Sequence, residues 1–227
     1  MKKFVCTLVA LMMALACFAG CSSPAAEPAA AETAPAGENA ASGGTIKIGM
    51  LAPLTGAVAE YGQAVANGVR MYTEELNAKG GVNGKQIELV EYDEEGDSAK
   101  AVTGYNSLVD QDVTAIIGDV TTAPTVAVVV ESQADKMPMI TASATAAAVT
   151  VDQDSGAVYE NMFRSCFIDP FQGNKMASFA SEKMSAKTAA ILYNTGSDYS
   201  IGLSDSFQEQ AKAMRASQTA LPNSRAS

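Results

Sequence analysis

Apolar and polar residues near the start of the chain predict a strand, a turn and a helix in succession. Ile46, Ile48 and Met50 are apolar at every second position, as in a strand buried on one face. Pro and Gly residues within 53–56 then favour a turn. Over residues 61–76 the apolar residues recur at steps of three and four, which predicts an amphipathic helix. Ligands bind outside the carboxyl ends of the strands in an open α/β sheet, so this turn is a candidate wall of a site.

Strand and helix patterns continue to alternate after this helix. They predict strands over residues 86–92, 115–118 and 137–141, and helices over 98–109 and 122–134. Strands that are separated by helices indicate a parallel, doubly wound sheet. The fold class that we expect is therefore α/β.

A second unit is predicted to begin near Tyr159. It comprises strands over residues 158–166 and 188–193 and helices over 170–184 and 200–214. After Met214 the residues are polar and of low complexity, without the apolar run that the next strand requires. We interpret residues 215–227 as an aberrant tail on a C-terminally truncated chain.

Residues 1–20 have the features of a secretory signal. Lys2 and Lys3 precede an apolar run over residues 4–19, which is too short and ends in residues too small for a spanning helix. Small residues directly before Cys21 resemble a bacterial lipobox. Cys21 is therefore expected to be the lipidated N-terminus and a membrane anchor, with plain cleavage and a free thiol as the alternative.

The segment that follows the signal, residues 21–44, has no large apolar side chain after its cysteine. Such a segment cannot bury a core, so we expect it to be a flexible tether. Ordered structure is then expected from Thr45, with a first lobe over residues 45–160 and a partial second lobe over 161–214.

The composition excludes several classes of function. The formal net charge is −10, and an acidic surface repels phosphate backbones, so we expect no nucleic-acid partner. The sequence has no histidine, which excludes histidine-dependent nucleophiles and the commonest metal-ligating side chain. We therefore expect that the chain is not an enzyme and that it has no cofactor and no metal. Cys6 and Cys17 lie in the signal, so no disulfide framework is expected, and Cys166 is interpreted as a buried thiol.

Two loops resemble ligand-binding motifs only in part. The sequence GGVNGK at residues 80–85 lacks the glycine spacing of a phosphate loop and is followed by Gln86 in place of Ser or Thr. We interpret it as a helix stop followed by a turn at Asn83 and Gly84. The sequence DEEGD at residues 93–97 lacks the Gly and Glu positions of a calcium loop, and we interpret it as a solvated acidic turn.

Two clusters of hydroxyl residues follow two successive predicted strands. Thr122 precedes Pro124 at a predicted helix N-terminus, where N–H groups and the helix dipole favour a carboxylate. Thr122 capping its own helix is an equal alternative. The second cluster, residues 141–145, includes Ser143 and Thr145, with an ordinary Ser/Thr turn as the alternative. Because carboxyl ends of parallel strands meet at one edge of a sheet, both clusters are expected to open there.

The order of these motifs resembles the branched-chain amino-acid (Leu/Ile/Val) binding proteins of ABC importers. The likeness rests on the strand, Pro-Leu-Thr-Gly loop and Tyr-Gly of residues 45–62, on both hydroxyl clusters, and on TGSDYSIG at residues 195–202. It extends to about Met214. The resemblance implies the type I periplasmic-binding fold, with two doubly wound lobes around a ligand cleft, the second lobe here incomplete.

The resemblance also implies a set of ligand-binding residues. In the family, the two hydroxyl loops hold the α-carboxylate of the ligand and share its ammonium group, and the matching residues are Thr122, Ser143 and Thr145. Tyr61 matches the aromatic residue after the first loop, with core packing as the alternative. Tyr199 matches a second-lobe tyrosine that closes over the ligand, with a surface helix start as the alternative.

The function implied by the resemblance is capture of an amino acid, of the branched-chain type, outside the cell and its delivery to an ABC permease. The expected partners are the amino-acid ligand, the permease and, through the lipid anchor, the bacterial cell membrane. Two other hypotheses stay open. The chain is alternatively a ligand-sensing receptor module of the same fold, or a non-functional truncated fragment.

Overall fold

The computed structural model describes the backbone of residues 43–220 and the side chains as far as residue 215. The signal, Cys21 and the tether that we predict lie outside these described residues, as does the end of the chain. The strands are β1 (Gly43–Ala52), β2 (Lys85–Asp93), β3 (Ala115–Ile117), β4 (Met139–Thr141) and β5 (Met162–Arg164). They form one parallel sheet in the order β2-β1-β3-β4-β5.

Helices connect these strands and complete the architecture. They are α1 (Ala59–Ala78), α2 (Ser98–Val109), α3 (Thr122–Ser132), α4 (Asp169–Glu182) and α5 (Asp198–Ala220), with a short 3-10 turn at Ala147–Val149. The predicted α/β class with a doubly wound parallel sheet is confirmed. Within residues 43–220, no helix is long and apolar enough to cross a membrane.

The core lies between the sheet and helices α2 and α3. Leu51 and Ile116 from the central strands are fully buried against Tyr105 and Leu108 of α2 and Val128 of α3. Four successive buried residues end β1, as expected for the central strand of a parallel sheet. This packing fixes the carboxyl ends of β1 and β3, from which the candidate site loops begin.

The glycine-rich loop after α1 is the helix stop and turn that the sequence predicts. The N–H of Gly81 donates to Leu76 O at 2.8 Å, which closes the last turn of the helix. Asn83 and Gly84 both have positive φ, 52° and 77°, as a tight hairpin turn requires. The loop is thus occupied with its own backbone hydrogen bonds.

The strand expected over residues 158–166 is shorter than predicted and belongs to the first sheet. It is β5, which pairs in parallel with β4 through Met139 and Met162. Met162 is buried while Phe163 is exposed, as at a sheet edge. The assignment of this strand to a second unit was wrong, because the open edge of β4 provides the hydrogen-bonding partner that a strand needs.

No strand forms over residues 188–193, where the sequence predicts one. The segment has no strand pairing, and Leu192 is fully exposed. A strand is stable only when a neighbour accepts its backbone hydrogen bonds, and the described residues after β5 include no other strand. Hydrophobicity alone therefore predicted the wrong structure here.

The final helix continues beyond Met214, where the sequence pattern predicts that regular structure ends. Helix α5 extends to Ala220, so the prediction of an irregular tail from residue 215 was wrong over its first part. Residues 215–220 include no Gly or Pro. Adding residues to an existing helix costs far less than nucleating one, so a polar run without a breaker can remain helical.

Candidate functional site

The two hydroxyl clusters adjoin one another at the carboxyl edge of the sheet. Ser143 Oγ donates to Val120 O at 2.7 Å, and Thr141 Oγ1 donates to Asp119 O at 2.6 Å. Thr141 Oγ1 also accepts from the N–H of Ala144 at 3.0 Å. These bonds join the loop after β3 to the loop after β4. The expectation that both clusters open on one edge is confirmed.

Thr122 is the first residue of α3 and only 6% exposed. The cap position belongs to Thr121 instead, and no side chain donates or accepts a capping hydrogen bond there. The alternative, that Thr122 caps its own helix, is therefore wrong. The N-terminal amides of α3 carry the positive end of the helix dipole and are suited to an anionic ligand.

Thr145 is a buried residue of the second cluster. It is 5% exposed, and its Oγ1 has no partner among the described residues. Buried hydroxyl groups are normally paired, because an unpaired one loses hydration without compensation. Thr145 Oγ1 completes no hydrogen bond of normal geometry, and its hydroxyl acts on the neighbouring carboxyl group of Asp169.

Asp169, at the start of α4, lies against the second cluster. Its N–H donates to Thr145 O at 3.1 Å, and its carboxyl group is almost completely buried. Burial raises the pKa of Asp169, while the Thr145 hydroxyl and the positive charge of Arg164 act in the opposite direction. Its Oδ1 completes no hydrogen bond among the described residues. Asp169 also lies close to α5, because a Cβ atom on Gly202 would lie 2.5 Å from Asp169 Oδ2.

Arg164, which was not predicted as a site residue from the sequence, stabilises the second cluster through hydrogen bonds to the segment after β4. Its guanidinium donates to Ala144 O at 3.0 Å, to Ala146 O at 2.8 Å and to Thr150 Oγ1 at 2.8 Å. Burial lowers the pKa of this guanidinium without removing its charge at neutral pH. An arginine at the end of a predicted strand gives no sequence signal for this role.

The first loop, between β1 and α1, is held by Asp93. Its Oδ1 accepts from the N–H groups of Leu54 at 2.9 Å and Thr55 at 3.2 Å, and its Oδ2 accepts from Thr55 Oγ1 at 2.6 Å. Burial alone would raise the pKa of Asp93, but these hydrogen bonds outweigh it and hold the pKa below its usual range. The Pro-Leu-Thr-Gly loop is thus fixed by an acidic residue of β2.

Tyr61 and Gly62 follow this loop on α1. Tyr61 is 65% exposed, so the alternative of core packing was wrong. A Cβ atom on Gly62 would lie 2.0 Å from Pro53 O, so only glycine permits the helix to pack this closely on the loop. Tyr61 is available to a ligand, but no described contact joins it to the hydroxyl clusters.

Tyr199 lies on the second residue of α5 and is 40% exposed. Its hydroxyl donates to Gln172 Oε1 of α4 at 3.3 Å. Among the described residues, no contact brings Tyr199 to Thr122, Ser143 or Thr145. Its role in closing over a ligand stays a prediction.

Two interpretations from the sequence need correction. The acidic turn at residues 93–97 is not solvated throughout, because Glu94 is fully buried beside the fully buried Asp119. Cys166 is half-buried rather than part of the core, with its Sγ 3.5 Å from Ala144 O. Burial raises the pKa of this thiol. Local hydrophobicity along the sequence predicts neither the burial of Glu94 nor the partial exposure of Cys166.

Comparison with known proteins adds family information to this geometry. A family model described as "Periplasmic binding protein" matches residues 45–223, which extends past Met214, where we expected the likeness to end. The leucine-, isoleucine-, valine-, threonine- and alanine-binding protein of Pseudomonas aeruginosa is 36% identical over 150 residues, 66% of this chain and 39% of that protein. The chain spans less than half the length of the curated relatives it matches.

Solved structures give the same fold with two kinds of ligand. The branched-chain amino acid transporter substrate binding protein LivJ from Streptococcus pneumoniae, in complex with isoleucine, has a TM-score of 0.69 and 36% identity, covering 74% of this chain and 47% of its own. A solute binding protein of an ABC transporter from Rhodopseudomonas palustris, in complex with 4-hydroxybenzoate, has a TM-score of 0.63 and 26% identity, covering 74% and 44%. Both ligands carry a carboxylate.

Proposed function

The chain belongs to the periplasmic binding protein family, and from that membership we propose that it captures an amino acid of the branched-chain type for an ABC importer. Binding would proceed by closure of two lobes around the ligand, without chemical conversion. Proteins of this family are extracytoplasmic, and this chain would act there.

The observation that carries the proposal is the pair of hydroxyl loops that a hydrogen bond joins, with the buried Thr145 hydroxyl at the same edge of the sheet. Ser143 joins the loops by its hydrogen bond to Val120 O, and Thr145 Oγ1, which acts on the Asp169 carboxyl group, completes no hydrogen bond of normal geometry. A ligand carboxylate would accept from Thr145 and from the amides at the start of α3, beside Thr122. In this arrangement a hydrogen bond to a charged group contributes about 1.5–3 kcal/mol.

The second candidate ligand is an aromatic carboxylate, favoured by the 4-hydroxybenzoate complex of a matched structure. Both ligand classes would use the same hydroxyl loops, because both present a carboxylate. They differ in the ammonium group, which only an amino acid carries. The more similar structure and the curated relative bind amino acids, which favours the amino acid.

The remaining parts of the proposal concern location and partners. Cys21 would carry the lipid that anchors the protein to the membrane, with residues 22–44 as a tether, and the ABC permease would receive the ligand. Tyr61 and Tyr199 would contact the bound amino acid from the first and second lobes. The alternative to delivery to a permease is that the chain is a ligand-sensing receptor module of the same fold.

Isothermal titration calorimetry on the purified protein tests the proposal. L-leucine, L-isoleucine and L-valine should bind, whereas leucinamide, which lacks the carboxylate, and 4-methylpentanoate, which lacks the ammonium group, should bind much more weakly. Binding of 4-hydroxybenzoate in preference to the amino acids would favour the aromatic alternative. No heat with any of these compounds would contradict capture by this chain and favour the fragment hypothesis.

A further inference from the structure

A pair of buried acidic residues lies at the carboxyl edge of the sheet, where the first hydroxyl cluster, Thr121 and Thr122, also lies. Glu94 follows β2 and Asp119 follows β3, and both are fully buried. Glu94 Oε2 accepts from the N–H of Gly96, and Asp119 Oδ1 accepts from the N–H of Val120. The other oxygens, Glu94 Oε1 and Asp119 Oδ2, have no further partner among the described residues. Both residues flank the end of β1, since the N–H of Glu94 donates to Ala52 O at 3.4 Å and a Cβ atom on Gly118, next to Asp119, would lie 2.2 Å from Leu51 O. The carboxyl groups act on each other there.

The surroundings of the pair supply no positive charge. Asp93 acts on Glu94 as a further negative charge, and Asp97 caps α2 by accepting from its first amides. Lys100 of α2 is exposed and pairs with Glu95 at 2.7 Å. Residues 50–58 and 139–150, from the loops on either side, carry no charged side chain. Two buried carboxylates without a cation cannot both remain ionised at low cost.

We propose that Glu94 and Asp119 share one proton in the folded protein, and that this proton bridge positions the loop that presents Thr122 to the ligand. Asp119 is three residues before Thr122, and its own carbonyl accepts the hydrogen bond from Thr141. A bridge from Glu94 to Asp119 therefore connects the loop after β2 to both hydroxyl clusters. Both residues are positioning residues that do not touch the ligand. Their effect on ligand affinity rests on the proposed function, whereas the shared proton does not.

The direction of the pH dependence follows from the burial of the pair. Burial and then the charge of Glu94 raise the pKa of Asp119 well above its usual value, and burial also raises that of Glu94. The folded chain thus holds a proton that the unfolded chain releases near pH 4. Between the unfolded and folded pKa values, rising pH favours unfolding by up to about tenfold per pH unit in the equilibrium constant. Stability from the bridge is therefore complete at acidic pH and lost as pH rises through the folded pKa.

Carboxyl ¹³C NMR of the wild-type protein tests the shared proton without any substitution. At pH 6, where exposed carboxyl groups are ionised, one proton should remain on the pair, visible as a carboxyl resonance that titrates only at higher pH. Ionisation of both groups by pH 6, with ordinary titration near pH 4, would overturn the proposal.

Urea unfolding of the wild type and of variants from pH 5 to 9 is a second test of the shared proton. The double variant Glu94→Gln with Asp119→Asn keeps a side-chain hydrogen bond but removes both titrations, so the wild-type advantage over it should shrink as pH rises. Glu88→Gln, a control at an exposed carboxylate of β2, should keep the wild-type slope over this range. Parallel stability curves for wild type and double variant would contradict the shared proton.

Leucine titrations on the same proteins separate this inference from the proposed function. Leucine affinity should weaken with rising pH in the wild type and stay constant in the double variant. Affinities with the same pH dependence in both proteins would overturn the positioning of Thr122. If no protein bound leucine, the proposed function and the positioning of Thr122 for a ligand would both be contradicted, while the NMR and unfolding results would still decide the shared proton.

Discussion

Ser143 Oγ lies 2.7 Å from Val120 O and donates a hydrogen bond that joins the loops after β3 and β4. The hydroxyl of Ser143 is therefore engaged before any ligand arrives, and it retains its lone pairs as acceptors. Its first role is to hold two loops in register. A role towards the ligand would then pass largely through the position of the loops.

Ser143→Ala should destabilise the protein by about 0.5–1.5 kcal/mol, because Val120 O loses its donor in a half-buried position. Urea unfolding measures the change. Ser165→Ala is a matched control on the same edge, since Ser165 is exposed and its Oγ lies 3.4 Å from Thr141 O, a weak contact. Equal losses for both variants would mean that the Ser143 bond contributes nothing particular.

Thr145→Val tests ligand binding at the buried hydroxyl. Valine keeps the shape of threonine and removes only the hydroxyl that acts on the Asp169 carboxyl group, so the free protein should lose at most about 1.5 kcal/mol of stability. Leucine affinity should nevertheless decrease by about 1.5–3 kcal/mol if the hydroxyl donates to the carboxylate.

Thr145→Ser is the control, because it keeps the hydroxyl group. It should bind leucine nearly as well as the wild type. Unchanged affinity in Thr145→Val, measured by calorimetry, would remove Thr145 from the site.

The fold was largely predictable because its signals are local. The alternation of strand and helix patterns predicted β1 to β4 and α1 to α3 close to their observed bounds. The Asn83-Gly84 turn followed from turn chemistry alone. Strand pairing was not predictable: the segments at 158–166 and 188–193 were both predicted as strands, but only the first meets an open strand edge. A pattern along the chain does not report where a partner lies.

The site was predictable only in outline. The positions of the hydroxyl clusters follow from parallel topology, so Thr122, Ser143 and Thr145 were found as strand-end residues. Arg164 was missed because its three acceptors are carbonyl and hydroxyl oxygens of a loop far away in sequence. The buried acidic pair was missed because a run of acidic residues is normally solvated, and only tertiary packing excludes water from one of them.

Arg164→Lys should loosen the loop that carries Ser143 and Thr145. Lysine cannot reproduce the planar fork that reaches Ala144 O, Ala146 O and Thr150 Oγ1 together. We expect a loss of at least about 1.5–3 kcal/mol in the free energy of unfolding, the contribution of a hydrogen bond from a charged group. Lys175→Arg, on the exposed side of α4, is the control and should be neutral. A neutral Arg164→Lys would mean that the loop holds its conformation without the guanidinium.

Tyr105→Phe tests the core independently of the site. The buried ring of Tyr105 would stay in place, while its hydroxyl would no longer donate to Asp135 Oδ2 at 2.9 Å. The expected cost is about 1 kcal/mol in thermal or urea unfolding, with unchanged ligand affinity. A change in affinity would indicate that α2 and α3 transmit core changes to the hydroxyl loops.

Cys21→Ala tests the proposed lipid anchor. The substituted protein should move from the membrane fraction to the soluble fraction of cells, because the lipid would supply the attachment. Cys166→Ala is the matched control, and it should leave the distribution between fractions unchanged. Wild-type membrane association of Cys21→Ala would contradict the lipobox interpretation.

The measurement that tests the central claim most directly is a ¹H–¹⁵N NMR titration of the protein with L-isoleucine. If the joined hydroxyl loops hold the α-carboxylate of an amino acid, the largest shifts will fall on the backbone amides of residues 120–122 and 143–145. Leucinamide, without the carboxylate, will leave those amides unshifted. Saturating isoleucine that leaves these two loops unchanged, or that shifts only residues elsewhere, would contradict the account.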